Sequence, residues 1–184
     1  ELSTDKLYRE FEVDYTDFSK ENNWPGLIKE NTKMIWLETP SNPLLKLVDI
    51  KKIKREITKD NIKIICDNTF ASPYNQQPLN LGADVVLHSS TKYLGGHSDV
   101  IGGAIVIKDD NLLAEKIKYL QNAVGSVPSP FDCYMLIRSI KTLAVRMEKH
   151  NSNAMIISEF LSTHDKVSIV RYPGLKNDPN HEIA

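Results

Sequence analysis

No apolar run in this sequence approaches the roughly 20 residues that a membrane-spanning helix needs, and residues 1–10 carry too much charge for a signal peptide. Cysteine is scarce. Cys66 and Cys133 are the two present, each inside an apolar run and without CxxC or metal-ligand spacing. They read as reduced core thiols of a cytosolic protein rather than as a disulfide framework. An excess of one charge is missing too: 23 Lys and Arg stand against 24 Asp and Glu, with no dense basic stretch. Nucleic acid and anionic membrane are therefore poor partners. The histidines His88, His97, His150, His164 and His181 never pair at helical ligand spacing, so none is assigned to a metal. There is no internal repeat. An initiating methionine is lacking, and the chain stops after Ile183 and Ala184 without terminal punctuation, so a piece of a longer polypeptide is expected. Its 184 residues can still bury a real core, since roughly two thirds of the unfolded surface of such a domain disappears on folding.

What is present is an alternation of short apolar runs with helical periodicity. Residues 34–38, 62–67, 85–89 and 103–108 read as four strands of the continuous apolar kind found in sheets covered on both faces. Ile50, Ile53 and Ile57 mark one face of a helix after the first strand, and residues 77–81 supply a shorter helical stretch before the third. The Lys and Glu density over residues 51–59 is that helix's solvated face. This is the βαβ rhythm of a parallel sheet. Between Ser89 and Gly103 there is no room for a crossover helix, so the fourth strand is expected to return antiparallel, giving a mixed α/β sheet. Ser129 as N-cap, Pro130 in the first turn and Asp132 near the third helical position open a long helix. Tyr134, Ile137, Leu143, Met147, Ala154, Ile157 and Leu161 continue it over about 50 Å at the standard rise. That length exceeds one domain's surface. A boundary is placed along it, giving domains 1–146 and 147–184, with residues 167–172 as the first strand of the second.

The densest chemistry lies in Ser89-Ser90-Thr91-Lys92-Tyr93-Leu94-Gly95-Gly96-His97-Ser98-Asp99, at the carboxyl end of a strand, the edge where open α/β sheets place ligands. A partly desolvated lysine there can condense with an aldehyde, and the Ser89 and Thr91 hydroxyls can bind a phosphate, so one segment would hold both ends of one cofactor. The alternative is a solvated lysine in a Gly-rich turn. Asp67 closes the second strand, before Asn68 and Thr69. It either begins an ordinary turn or, beside a pyridine ring, keeps the ring nitrogen protonated and makes the ring an electron sink. Asn42, between Pro40 and Pro43 in a stiff loop, is a turn asparagine or an amide offered to the ring or substrate. His97, between Gly96 and Ser98, reads as a structural histidine of a tight turn.

These segments resemble the Cys/Met-metabolism family of pyridoxal-phosphate enzymes. Glu38 to Pro43 looks like the family's first loop, Asp67-Asn68-Thr69-Phe70 with Ser72-Pro73-Tyr74 like its second, and Ser89 to Asp99 like its lysine signature. Val127-Pro128-Ser129-Pro130-Phe131-Asp132-Cys133-Tyr134, Lys141-Thr142-Leu143, Arg146-Met147-Glu148-Lys149-His150 and Tyr172-Pro173-Gly174-Leu175 resemble its gamma-lyase branch, and the match extends from about Phe11 onward. One departure is Gly95, where Asn is often expected.

The resemblance implies fold type I, the aspartate-aminotransferase fold, as a mainly parallel mixed sheet flanked by helices and followed by the start of a small C-terminal α/β domain. It also implies pyridoxal 5'-phosphate as cofactor and a homotetramer built from dimers. Lys92 would carry the cofactor, Asp67 would face the ring nitrogen, Ser89 and Thr91 would hold the phosphate, and Thr69 and Asn42 would support the ring. The activity implied is cleavage of cystathionine to cysteine, 2-oxobutyrate and ammonia. Cystathionine gamma-synthase, cystathionine beta-lyase, methionine gamma-lyase and homocysteine-forming sulfhydrylase share the same lysine apparatus, and a cofactor-free scaffold that kept the fold is the alternative outside enzymes. The family's site also uses a Gly-rich phosphate loop, a stacking tyrosine, a neighbouring subunit's Tyr and Arg and a late Arg. None of those motifs is found in these 184 residues, which are therefore expected to be inactive alone.

Overall fold

The structure is a computed structural model that describes residues 12–20, 23–108 and 110–184. The charged segment 1–10 lies outside the described residues. The chain divides into two compact units, residues 1–32 and 33–184. In the first, a short 3-10 turn runs over Pro25–Leu27, Phe18 and Trp24 meet ring to ring at 5.7 Å, and Lys29 is paired with Glu12 and Asp14.

The second unit is built on a four-stranded sheet in the order β1 (Met34–Glu38), β2 (Lys63–Asp67), β3 (Val85–Ser89) and β4 (Gly103–Ile107). β1, β2 and β3 run parallel and β4 returns antiparallel, as the missing crossover required. Helix α1 (Ile50–Glu56) connects β1 to β2; Asp49 caps it by accepting from Lys52 N, and Ile50 and Ile53 are buried while Lys51, Lys54 and Arg55 face solvent. Two single-turn helices, α2 (Ser72–Asn75) and α3 (Pro78–Leu81), lead from β2 to β3.

The strand registers align Ile35 with Ile64, and Leu37 with Cys66 and Val86. This face is closed: Leu37, Ile64, Cys66 and Val86 are buried. On the other face Met34, Trp36 and Ile105 are each about half exposed. Among the described residues this face is open at Met34, Trp36 and Ile105 while Val85 on it is buried, so the double cover expected from the apolar runs is met only in part.

Three α-helices follow β4 among the described residues. α4 (Asn111–Val124) is one that the periodicity reading passed over, although both its ends are marked: Asp110 accepts from Leu113 N, and Gly125 takes the left-handed conformation at φ 79°. α5 (Pro130–Ile140) begins as expected, with the Ser129 hydroxyl accepting from Asp132 N. It does not continue as one long helix. Thr142 turns back on Ser139, whose carbonyl accepts from Thr142 N at 3.1 Å, Thr142 Oγ1 at 3.0 Å and Arg146 Nη2 at 3.0 Å. A carbonyl claimed three times within a residue of the helix end terminates the ladder, and α6 (Leu143–Ser162) restarts beyond it. Leu143 and Met147 are buried, whereas Tyr134, Ile137 and Ile157 are more than half exposed, so only part of the apolar series lines a core. Residues 167–172 form no strand, since no described neighbour offers them a ladder.

No helix among the described residues is long and apolar enough to cross a membrane.

Candidate active site

Asp67 and Ser89 end β2 and β3, and the pairing of Glu38 with Asp67 and of Asp67 with Leu87 sets their side chains on the open face of the sheet. A short hydrogen-bond chain joins them. Asp67 Oδ1 accepts from Thr69 N at 3.0 Å, and Thr69 Oγ1 accepts from Ser89 N at 2.8 Å. Thr69 thereby bridges the two strand ends, and Ser89 Oγ makes no hydrogen bond among the described residues.

After Ser89 the chain enters a single π-helical turn, Ser90–Leu94, interrupted at Lys92 by a non-helical backbone with φ −87° and ψ −123°. Two bonds shape this turn: Gly95 N donates to Ser90 O at 2.8 Å and Gly96 N to Lys92 O at 2.7 Å. The Lys92 side chain stands exposed at the carboxyl edge of the sheet. Behind it, Ser90 N donates to Gly102 O at 2.9 Å, while Thr91 Oγ1 accepts from Gly102 N at 3.0 Å and contacts Gly102 O at 3.3 Å. Thr91 therefore also pins the strand that follows. Gly95 suits this geometry, because a Cβ there would stand 2.7 Å from the Ser90 carbonyl. A side chain in its place would require the Ser90 carbonyl to shift.

His97 Nδ1–H donates to Gly95 O at 2.6 Å and lies 3.4 Å from Ser139 Oγ, the arrangement of a turn-holding histidine. The joint between α5 and α6 is bound to the same turn through Arg146. Its guanidinium donates to Tyr93 O at 2.7 Å, Ser139 O at 3.0 Å and Thr142 Oγ1 at 3.1 Å. Leu94, Leu143 and Met147 close a small apolar cluster beside it, with Tyr93 and Leu136 packed against them.

Beneath the site, on the closed face, lies a belt of buried polar groups. Asn68 is fully buried; its amide donates to Gln76 O at 2.9 Å and accepts from Gln76 Nε2 at 2.8 Å. Gln76 Nε2 also reaches Thr39 O at 2.9 Å, and Thr39 Oγ1 accepts from Val48 N at 3.0 Å. Two loops that bear candidate residues, after β1 and after β2, are thus tied together by Gln76 and Asn68. Sequence reasoning gave neither residue a role, though an Asn next to a strand-ending Asp is a signal of a buried loop. Asn42, by contrast, is exposed on the first loop and hydrogen-bonds to no other candidate among the described residues.

Burial shifts two groups of the belt. The Cys66 thiol, which has no exposed surface, is pushed up to about 12, mainly by desolvation and further by the Asp67 charge. His88 is 7% exposed and its Nδ1 has no hydrogen-bond partner. Desolvation pulls its pKa below the ordinary 6.5, with Asp67 opposing. A histidine held neutral in this way binds fewer protons folded than unfolded, so its contribution favours folding above the unfolded pKa and is lost as pH falls through that value. Denaturant unfolding should accordingly show a stability decline from about pH 8 to about pH 5.5 that is smaller in His88→Gln. Equal slopes in the two proteins would place the titration elsewhere.

Comparison with known proteins adds the decisive observation. The model of the family described as Cys/Met metabolism PLP-dependent enzyme matches residues 4–184. The chain belongs to that family. A probable cystathionine gamma-synthase of Herpetosiphon aurantiacus is 54% identical over 171 residues, covering 93% of this chain and 53% of the relative. A cystathionine beta-lyase of Coxiella burnetii is 52% identical over 170 residues, 92% of this chain and 44% of the relative. The crystal structure of cystathionine gamma-lyase from Lactobacillus plantarum, complexed with L-serine, superposes with a TM-score of 0.87 at 46% identity, covering 92% of this chain and 44% of that one. The chain spans about half the length of these relatives. The fold is type I, and the family cofactor is pyridoxal 5'-phosphate. Relatives of similar identity bear three different activity names, so the comparisons fix an enzyme of Cys/Met metabolism without selecting one of them.

The donor set fits that cofactor. Asp67, Ser89 and the exposed Lys92 lie at one sheet edge, with the carboxylate on the open rather than the closed face, while the Thr91 hydroxyl is bonded to Gly102.

Proposed function

We propose that the full-length protein is a pyridoxal-phosphate-dependent carbon-sulfur lyase that cleaves cystathionine to cysteine, 2-oxobutyrate and ammonia, with Lys92 as the residue that carries the cofactor. The observation that carries this reading is the Asp67–Thr69–Ser89 chain, which joins the ends of β2 and β3 on the open face immediately before the Lys92 turn. Bound there, the cofactor's protonated ring supplies an electron sink for bonds breaking in the substrate. The chain's own residues do the rest. Asp67 holds the proton on the ring nitrogen by charge pairing, Ser89 and Thr91 offer hydroxyls to the phosphate, and Thr69 and Asn42 support the ring. Lys92 Nζ anchors the group and then moves protons between the α and β carbons of the substrate. One water is consumed as the γ-thioether leaves as cysteine and the amino group as ammonia.

A gamma-synthase is the second reading, favoured by the 54% identical relative of that name. Beta-lyase, methionine gamma-lyase, sulfhydrylase and inactive scaffold are separated by the same experiment: assay of the full-length protein with cystathionine, O-activated homoserine and methionine. 2-Oxobutyrate and cysteine from cystathionine, without faster condensation of activated homoserine with cysteine, are the expected products. Pyruvate and homocysteine would mean a beta-lyase. A colourless protein that ignores added cofactor would be a scaffold.

Residues 1–146 are assigned to the large cofactor-binding domain and 147–184 to the start of a C-terminal domain. Beyond Met147, α6 presents Ile156, Ile157 and Phe160 to solvent, as a helix receiving a further layer would. A cytoplasmic homotetramer, with neither nucleic acid nor membrane as partner, is the state proposed for the whole protein.

A further inference from the structure

We propose that Arg146 is a positioning residue that sets the Lys92 turn for cofactor capture, an inference that rests on Lys92 being the cofactor-carrying lysine. Lys92 lies between two elements with different anchors. On its N-terminal side, Ser90 and Thr91 are bonded to Gly102. On its C-terminal side, Tyr93 O is held by Arg146 Nη1 at 2.7 Å, and the Tyr93–Leu94 peptide, one residue beyond Lys92, is oriented by that bond.

The guanidinium is itself immobilised. Its other nitrogens are fixed by Ser139 O and Thr142 Oγ1, the groups that break α5 from α6. The helix break therefore makes the socket, and the socket aims the arginine at the lysine turn. Space for it is reserved by Gly96, where φ is +73° and a Cβ would stand 2.2 Å from Arg146 Nη1. Planar, forked donors at three angles are a guanidinium's property, and an ammonium cannot reproduce them. The ψ of −123° at Lys92 departs from the turn around it, and the Gly102 and Tyr93 anchors on either side hold it there. Without the second anchor the turn relaxes, and the amine is presented in many orientations rather than one.

The test uses the full-length protein stripped of cofactor, with pyridoxal phosphate added back, in four forms: parent, Arg146→Ala, Arg146→Lys and Gly96→Ala. Three quantities are read: the rate of cofactor capture by absorbance, the pH midpoint of the bound cofactor's spectrum, and the lysine labelled after borohydride reduction. Arg146→Ala should capture cofactor about tenfold more slowly or worse, the scale of losing one hydrogen bond from a charged donor, with a displaced spectral midpoint and the label still on Lys92. Added methylguanidinium should restore part of the rate, and Arg146→Lys should recover less than half of it. Gly96→Ala keeps the arginine but fills its space, and should show the same slow capture; it keeps the proposal testable if Arg146→Ala does not fold. Capture rates and midpoints within about twofold of the parent in Gly96→Ala and in whichever Arg146 variants fold would overturn the positioning role. A label on another lysine in the parent would overturn the Lys92 reading instead.

Discussion

Replacing Lys92 by alanine in the full-length protein leaves a folded, colourless protein whose turnover falls by about 10⁴-fold or more. On the role proposed for Lys92, the size follows from two losses at one atom: the amine that would anchor the cofactor and the amine that would carry protons during the reaction. Stability should change by about 0.5 kcal/mol or less, because the side chain is exposed and the turn is held by backbone bonds from Gly95 and Gly96 and by Arg146. The companion measurement is on the unmodified protein, which should be yellow at neutral pH. After borohydride reduction, peptide mapping should find the pyridoxyl group on Lys92. Finding it on Lys46, Lys108 or any other lysine would discard the assignment.

The second large effect is expected at Asp67. Asp67→Asn preserves the oxygen that accepts from Thr69 N, and with it the bridge to Ser89, so the site should keep its shape. Only the charge is removed. Turnover should drop by about 100-fold or more, the usual scale for deleting a charge-stabilising group from an active site, with the larger share of the loss in kcat. Asp67→Ala should in addition weaken cofactor affinity, since it loses the Thr69 bond as well. Near-normal kcat in Asp67→Asn would end the ring-nitrogen role, whatever the alanine variant does.

The sheet and the site were legible in the sequence to different depths. β1 and β3 fall where the apolar runs place them, and the antiparallel turn of β4 followed from the absence of a crossover helix. The runs could not say that one face is open, because Met34, Trp36 and Ile105 are as apolar as residues that are buried. Asp67, Thr69, Ser89, Thr91 and Lys92 could be put forward as candidates because they lie in two short segments at strand ends. Arg146 was not: its main partners are backbone carbonyls, one of them 53 positions away, and a carbonyl leaves no mark in a sequence. The break between α5 and α6 was hidden for the same reason, since Lys141 and Thr142 are tolerated in a helix and only the geometry at Ser139 O shows the interruption.

Cys66 gives the middle of this sheet a clock. Its thiol sits on the closed face between Leu37 and Val86, with no exposed surface and a proton that it holds up to about pH 12. An alkylating reagent attacks thiolate that it can reach, and the folded β2 offers neither. Each Cys66 that becomes labelled at neutral pH has therefore passed through a state in which β2 has parted from its covering layer. Because Asp67 is the next residue on the same strand, the reciprocal of the rate at which that label accumulates is an upper bound on the mean time between openings of the strand that carries the carboxylate.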